Sequence, residues 1–403
     1  MKITHIHIER FRGFQNEDFE VGSLLTAIAG QNGTQKSTLL GIITQTFTLK
    51  TEDSMRVEKP LCGGSYISAF KDKFRLSPTF DKPKGHEWTI SFDAGMDDFT
   101  VESIKRTGDP NVRFWKKGAR QEGDGYISFP TIFLSLKRLV PVAEEAKIIT
   151  DDTLLTQEEL NEFKQLHNKI LIAQTPISSA TTITSKNKQS IGVSTELYDW
   201  NQNSMGQDNL GKIILALFSF KRLHDKYPRQ YKGGILAIDE MDATMYPASQ
   251  VELLKVLRKY ASKLNLQILF TTHSMSLLKA MDDLVQEVTK KEETANQAKI
   301  LYLKKVDDKI AIKQGVNFKG IQLDLNVVAE GNNRKKNRIT AYTEDKENIL
   351  FVKAILKSKA FVLDFVDVTL PCSTLMELVT KRVPAFIYPY SIVILDGLSL
   401  IHI

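Results

Sequence analysis

The segment that most constrains the fold is residues 30–38, GQNGTQKST. It lies between an apolar run, Leu24 to Ala29, and a helical pattern that extends from about Ser37 to Phe47. Glycines at such a strand-to-helix turn let backbone N–H groups curl around phosphate oxygens, and the helix N-terminus adds the positive end of its dipole. The segment therefore predicts a phosphate-binding P-loop.

Side-chain chemistry assigns roles within this loop. Lys36 is expected to reach the phosphate oxygens, and the Ser37 hydroxyl is a natural ligand for Mg²⁺. Gln35 stands directly before the lysine, where a P-loop ordinarily has glycine, so it is expected to crowd the phosphates or alter the turn and to weaken affinity without abolishing it. The predicted nucleotide-binding residues of the loop are Gly30, Asn32, Gly33, Gln35, Lys36, Ser37 and Thr38.

Two later apolar strands end in chemically active residues. Residues 235–240, ILAIDE, end in two acids, of which Asp239 is expected near the magnesium and Glu240 is expected to act as general base on the attacking water. The next strand ends in the residues TTHS, and its His273 is predicted to contact the γ-phosphate. Ligands of parallel sheets bind at the carboxyl ends of strands, so these groups are expected to meet there.

A further candidate site precedes a long helix that is predicted from about Gln207 to Lys226. In the segment 203–207, NSMGQ, the Ser204 hydroxyl, the backbone at Gly206 and the neighbouring Gln207 are expected to bind a γ-phosphate at the helix N-terminus. The alternative is an ordinary N-cap followed by a turn.

Strands that alternate with helices predict an α/β fold with a mainly parallel sheet. Residues 50–130 are expected to form a β-rich lobe and residues 144–226 a helical lobe, with a loop at 175–194 and a β-hairpin at 299–313. The net charge of +6 permits contact with nucleic acid without arguing for it. Two isolated cysteines, no signal peptide and no apolar run of membrane-spanning length predict a cytoplasmic protein without a membrane partner.

Taken in order, these motifs resemble those of ABC-type ATPases of the RecF and SMC kind. The opening FRGF, the P-loop as Walker A, NSMGQ as a shortened signature, ILAIDE as Walker B, residues 241–250 as the D-loop and TTHS as the histidine switch carry the resemblance over about residues 1–310. It implies an ABC-type head at 1–320 that uses ATP and Mg²⁺. It also implies a homodimer in which Ser204 and Gly206 of one head close the ATP site of the other.

The remainder, 341–403, is expected to begin a second α/β unit after a linker at 321–340. Glu344 before a helix and Asp396 at the end of an apolar strand are similar to the metal-binding acids of a TOPRIM site. An ATPase followed by TOPRIM is the layout of OLD-family nucleases, and the ATPases of Septu and retron-type defence systems also look similar. Leu398 stands where a second aspartate is expected, so this unit is predicted to be incomplete and the chain is not expected to cut DNA as written.

Three hypotheses about function follow. The leading one is an ATP-driven switch of head dimerisation in a DNA-associated or phage-defence complex. The second is an ATP-regulated DNA endonuclease of the OLD type whose TOPRIM domain is cut short, and the third is a nucleotide-binding scaffold for a separate nuclease subunit. The basic segment 334–338 is either a phosphate contact for DNA or a solvated linker.

Overall fold

The computed structural model divides into two compact units, Met1–Leu325 and Asn326–Ile403. The structure describes residues 1–66, 70–93, 95–105, 112–118, 125–140, 148–151, 154–185, 189–330, 339–388 and 391–395. Among these residues, no helix combines the length and the apolar character that crossing a membrane requires.

Helices and strands alternate through most of the first unit. Its strands are β1 (Ile3–Phe11), β2 (Phe14–Glu20), β3 (Leu25–Gly30), β4 (Phe47–Thr48), β5 (Glu87–Phe92), β6 (Phe99–Lys105), β7 (Val112–Lys116), β8 (Ile127–Ser128), β9 (Thr131–Leu134), β10 (Ile149–Asp151), β11 (Ser179–Thr184), β12 (Gln189–Ser194), β13 (Gly234–Ile238), β14 (Leu266–Thr272), β15 (Ala298–Val306) and β16 (Lys309–Lys313). Its helices are α1 (Lys36–Thr44), α2 (Phe70–Lys73), α3 (Gln157–Leu171), α4 (Met205–Lys226), α5 (Pro247–Lys263), α6 (Met275–Val288) and α7 (Phe318–Glu330), the last of which continues into the second unit.

The centre of the first unit is a six-stranded sheet in the order β16-β15-β3-β14-β13-β9. Its strands are parallel except for the antiparallel hairpin of β15 and β16, which confirms the hairpin predicted at 299–313. Both faces of the sheet are covered, because alternate residues of β3, β13 and β14 belong to two different apolar clusters. This explains why these strands are continuous apolar runs rather than alternating ones.

One of these clusters lies between the central sheet and an antiparallel sheet in the order β2-β1-β5-β6-β7. The alternation of β1 buries Ile6, Ile8 and Phe11, and that of β5 buries Trp88 and Ile90. The other cluster includes residues of α3, α4, α5 and α6. Helix α1 packs on the side of the antiparallel sheet. Because it follows β3 directly after the turn 31–35, the residues at its start lie near the carboxyl end of β3.

The predicted helical lobe at 144–226 also contains strands, so its sequence interpretation was partly wrong. Within the segment 175–194, predicted as a loop, residues 179–184 and 189–194 are the antiparallel strands β11 and β12, and β10 pairs with β11. Threonine and isoleucine fit a half-buried pleated surface well, and packing against α4 decides the outcome here. The predicted helix at 144–174 is shorter in the structure, because α3 begins only after the capping box of Thr156 and Glu159.

Two predicted boundaries also shift near the site. The apolar run 130–140 forms a strand only to Leu134, and residues 136–139 form a 3₁₀ turn. Helix α1 ends at Thr44, and Phe47 belongs to β4 rather than to the helix.

The second unit, described by itself, is also α/β. It contains β17 (Ile339–Thr343), α8 (Lys346–Leu356), β18 (Leu363–Phe365), α9 (Cys372–Thr380) and β19 (Ser391–Ile394), with the parallel strand order β18-β17-β19. Glu344 directly follows β17, whereas Asp396, Leu398 and the basic segment 334–338 lie outside the described residues. The TOPRIM-like site therefore stays a prediction. The predicted linker 321–340 is corrected in its first half, which is helical to Glu330. At its start, Ile321 belongs to the apolar cluster of the first unit and Leu325 packs against that cluster.

Candidate nucleotide site

The P-loop lies between β3 and α1, as predicted, and its two glycines occupy backbone conformations that other residues rarely adopt. Gly30 has φ 150° and Gly33 has φ 81°. A Cβ atom at Gly30 would also lie 2.4 Å from the carbonyl oxygen of Leu303 on β15. The glycines therefore permit both the turn and the close approach of the neighbouring strand.

Lys36 is buried at the start of α1, where its ammonium group is bonded to the loop itself. Its Nζ donates to the carbonyl oxygens of Gly30 at 3.1 Å and Gln31 at 2.9 Å. Burial lowers the pKa of Lys36 to about 8, against the opposing effect of the carboxylates of Glu240 and Asp239. The ammonium is thus held in the loop by neutral carbonyl oxygens. Negatively charged phosphate oxygens would bind it more strongly and could replace them.

Gln35 adopts the left-handed conformation, with φ 62° and ψ 32°, which a glycine at this position would adopt without strain. Its side-chain amide lies against Gly13 of the FRGF turn, where an added Cβ atom would be 2.9 Å from the Gln35 Nε2. The side chain is therefore directed toward the FRGF turn. The Gly13 carbonyl oxygen also accepts from the backbone N–H of Ile310, at 2.8 Å, which ties the turn to β16.

This packing predicts a coupling between Gln35 and Gly13. We expect Gly13→Ala to displace the Gln35 side chain and to destabilise the protein by about 1–3 kcal/mol, as overpacking usually does. Combining it with Gln35→Gly is expected to recover part of that loss, since the crowding amide is then gone. Chemical denaturation of the four proteins of this cycle measures the coupling, with Gln35→Val as a control that adds β-branched strain in the left-handed region. Strictly additive losses would contradict the contact.

The FRGF turn contacts the P-loop helix at a second point. The guanidinium of Arg12 donates to the Thr38 hydroxyl at 3.4 Å and forms a two-pronged pair with Asp81, with both N···O distances 3.0 Å. Burial would raise the pKa of Asp81, but Arg12 and His86 hold it at about 2. The ion pair with Asp81 orients the Arg12 side chain, whose bond to Thr38 links the turn to the start of α1.

Ser37 and Asp239 come together although they are far apart in the chain. The Ser37 hydroxyl donates to the Asp239 Oδ1 at 2.9 Å, and the Thr271 hydroxyl donates to the same oxygen at 2.7 Å. Two neighbouring oxygen donors, one of them a carboxylate, suit Mg²⁺, which takes few protein ligands and fills the remaining positions with phosphate and water. Among the described residues there is no cluster of three or more histidines, cysteines and acids that would form an all-protein metal site.

Glu240 follows Asp239 in a strained backbone conformation, with φ 50°. Its N–H donates to the Thr271 hydroxyl at 2.6 Å, and its carbonyl oxygen accepts from the Arg138 guanidinium at 2.7 Å. Both backbone groups of the residue are therefore held. This anchoring sets the direction in which the carboxylate leaves the end of β13.

His273 lies on the same edge of the sheet, because β14 runs between β3 and β13. Its backbone N–H points to the Asp242 carboxylate at 3.4 Å. Burial of the ring and the nearby Lys36 cation lower the pKa of His273. The imidazole is therefore neutral at pH 7 and has one N–H to donate to an anion.

Ser204, Gly206 and Gln207 form a separate group at the start of α4. The Ser204 hydroxyl accepts from the Gln207 N–H at 3.3 Å, and the Gln207 side chain accepts from the Ser204 N–H at 2.8 Å, which is a capping box. A Cβ atom at Gly206 would lie 2.5 Å from the Thr244 carbonyl oxygen. The signature segment thus contacts the D-loop of its own chain, and Ser204 is exposed at the surface.

Sequence reasoning missed several residues that hold the site together. Arg138 follows β9 and reaches Glu240, and its only sequence signal is a basic residue at the end of an apolar strand. Gln250 on α5 donates to the carbonyl oxygens of Asp242 at 3.2 Å and Met245 at 2.7 Å, and it accepts from the Ser274 hydroxyl. A glutamine within a helix carries no recognisable signal.

Comparison with protein-family models matches residues 134–278 to the family described as an AAA ATPase domain. The first unit has an α/β fold, and its segment 134–278 is similar to an AAA ATPase domain. The matched segment begins at the end of β9 and includes α4, β13 and β14, whereas the P-loop precedes it. This match, with the loop geometry described above, supports ATP binding and hydrolysis. Comparison with curated proteins gave no match.

Several solved structures are similar to this chain. They include the SMC head domain from Thermotoga maritima, with a TM-score of 0.43 and 14% identity, which covers 78% of this chain and 100% of its own. An SMC head bound to the C-terminal winged-helix domain of ScpA has a TM-score of 0.46 and 14% identity over 80% of this chain and 100% of its own. An SMC head with an extended coiled coil, bound to the C-terminal domain of ScpA and derived from Pyrococcus furiosus, has a TM-score of 0.43 and 13% identity. It covers 82% of this chain and 100% of its own.

Proposed function

We propose that this chain binds ATP with Mg²⁺ and hydrolyses it between two associated copies of the ATPase domain. The observation that carries the proposal is the convergence of Lys36, Ser37, Asp239 and Glu240 at one edge of the central sheet, although two of them lie 202 residues apart in the chain. A glycine-rich turn with a purely structural role has no need of a hydrogen bond from its serine to the acid at the end of a distant strand.

Each residue has a definite task in this mechanism. Lys36 exchanges its loop carbonyls for phosphate oxygens, and Ser37 and Asp239 supply oxygen ligands for the metal, which neutralises phosphate charge when bound. The Glu240 carboxylate accepts a proton from the attacking water. Neutral His273 donates its N–H to the γ-phosphate, so that contact with this residue depends on the nucleotide state.

Dimerisation follows from the position of the signature segment. Ser204 is exposed at the N-terminus of a 22-residue helix, and its in-chain contacts are with Gln207 rather than with the P-loop. A helix N-terminus with a solvent-exposed serine, whose O–H can still donate, suits the terminal phosphate of a nucleotide bound to another copy. We therefore assign Ser204 and Gly206 to the ATP site of a second copy. DNA, a separate nuclease and a defence role stay predictions from the sequence resemblance.

Met205 offers a direct test, because it is the first residue of α4 and is 46% exposed. Glutamate is well tolerated in the first turn of a helix, so Met205→Glu is expected to fold normally. Its negative charge would face the arriving phosphate, and we expect ATP turnover to fall at least about tenfold while the ATP affinity of the single chain changes less than about threefold. Steady-state kinetics measures the turnover, equilibrium binding measures the affinity, and light scattering after size exclusion measures whether two copies associate.

The matched control is Val57→Glu, which introduces the same charge at an apolar side chain that is 77% exposed. Val57 lies in a 3₁₀ turn beside Glu58, which bonds Lys226 at the opposite end of α4 from Met205. The control variant is expected to behave as the natural protein. Normal turnover by Met205→Glu would mean that hydrolysis does not need α4 of a second copy. Absence of turnover in the natural protein, with ATP still bound, would leave the scaffold hypothesis.

A further inference from the structure

Arg138 is one of the largest fully buried side chains of the protein, with 2% of its surface exposed. It lies in the 3₁₀ turn after β9 and donates to four oxygens: the carbonyls of Leu134 at 3.2 Å, Ser135 at 3.1 Å and Glu240 at 2.7 Å, and the Asn209 side chain at 2.7 Å. Every one of these bonds goes to an amide or carbonyl oxygen. Burying a cation is costly, so its place here calls for a reason beyond packing.

The charge of Arg138 is compensated by the acids of the nucleotide site. Burial lowers the pKa of Arg138 to about 10, and the fields of Asp239, Glu240 and Asp242 oppose that effect. The guanidinium therefore remains charged at neutral pH beside the proposed general base. Arg138 bonds the backbone carbonyl oxygen of Glu240, and this bond does not involve the Glu240 carboxylate.

The backbone of Glu240 needs such an anchor. At φ 50° it lies in the left-handed region, which is unfavourable for a residue that has a Cβ atom. The bond from Arg138 to its carbonyl and the bond from its N–H to Thr271 hold the peptide groups on both sides of the strained α-carbon. Loss of the Arg138 bond would let Glu240 relax and turn its carboxylate away from the water.

The other end of this network is on the signature helix. Asn209 is buried in the second turn of α4, accepts from Arg138, and donates through Nδ2 to the Ala243 carbonyl oxygen of the D-loop at 2.9 Å. Close by, Gly206 approaches the Thr244 carbonyl oxygen so closely that no side chain fits there. A movement of α4 would therefore displace the D-loop through the bond from Asn209 to Ala243. It would also displace the Glu240 backbone through Arg138.

We infer that Arg138 and Asn209 are positioning residues that couple the signature helix and the D-loop to Glu240. The inference rests on the proposed function and adds a route by which contact of the signature segment with nucleotide alters the general base within the same chain. It assigns to neither residue any contact with ATP. The two side chains set the rate of the hydrolytic step rather than the affinity for nucleotide.

The test is Asn209→Ala, alone and combined with Glu240→Gln. Alone, we expect kcat to fall about 30-fold with the ATP dissociation constant changed less than about threefold, since a misplaced base loses rate and not binding. In the Glu240→Gln background, which has no base left to misplace, the same change is expected to cost less than about threefold in single-turnover rate. Arg138→Lys, which keeps the charge but not the forked donors, is expected to retain an intermediate kcat.

Ser219→Ala is the matched structural control, because Ser219 is also a buried polar residue of α4 and bonds the Leu61 N–H and the Leu215 carbonyl oxygen. It is expected to lower the melting temperature without changing kcat per folded molecule. Equal losses from Asn209→Ala in the natural and the Glu240→Gln backgrounds would overturn the coupling while leaving the ATPase assignment intact. If the natural protein does not hydrolyse ATP at all, the proposed function fails and the inference falls with it.

Discussion

Replacing Lys36 by alanine is expected to lower the affinity for ATP by at least about 100-fold, because the buried ammonium is the cation placed to meet the phosphates. The removed group is bonded only to the carbonyl oxygens of Gly30 and Gln31 in the described contacts, so the loop itself should persist. Lys36→Met, which keeps the apolar stem, separates loss of charge from loss of packing. Equilibrium binding of a fluorescent ATP analogue measures the change.

Lys2→Ala is the control for this substitution, since burial lowers the pKa of Lys2 to about 8 as it does for Lys36, but Lys2 directly precedes β1 and is not part of the P-loop. It is expected to leave ATP affinity unchanged. If Lys36→Ala binds ATP as tightly as the natural protein, residues 30–38 do not form the nucleotide site.

The same lysine gives ATP binding a defined pH dependence. With a pKa of about 8, Lys36 is charged below pH 8 and loses its proton as the pH rises above that value. Bound phosphate favours the charged form, so binding must take up a proton above pH 8 and the affinity falls by up to about tenfold for each further pH unit. Calorimetry in buffers of different ionisation enthalpy counts that proton. Lys36→Arg, which remains charged throughout, is expected to bind without it.

Replacing Glu240 by glutamine is expected to reduce kcat by about 10³-fold and to leave ATP affinity close to that of the natural protein. Glutamine keeps the size of the side chain, and the backbone bonds of Glu240 to Arg138 and Thr271 do not involve the carboxylate. Only acceptance of the proton from water is lost. The variant should therefore accumulate as an ATP-bound dimer, which light scattering with and without Mg²⁺-ATP detects.

Glu252→Gln provides the same chemical change on α5, where the carboxylate pairs only with the neighbouring Lys255 among its described contacts. It should hydrolyse ATP at the natural rate and should not accumulate as a dimer. Normal turnover by Glu240→Gln would exclude Glu240 as the general base. A slow variant that stays monomeric with ATP bound would separate hydrolysis from dimerisation and exclude the two-copy site.

Sequence patterns predicted the strands that end at the site better than the region between them. The strands β3, β13 and β14 are buried on both faces, so each appears in the sequence as a continuous apolar run. The hairpin at 179–194 was wrongly predicted as a loop, because serine and threonine favour turns in one context and strands in another. Packing of β12 against α4, an element later in the chain, favours the strand, and a local sequence pattern does not show this packing.

The sequence by itself determined the glycine-rich turn between a strand and a helix, the acid-ended strand and the α/β class, because these depend on backbone geometry and burial within a few residues. Only the tertiary structure decided which groups act together. It set Gln35 against Gly13, joined Ser37 to Asp239, and brought Arg138 to Glu240 across 102 residues of chain. Such contacts arise where separate elements pack, and a hydrogen bond to a backbone carbonyl leaves no trace in the identity of the residue that accepts it.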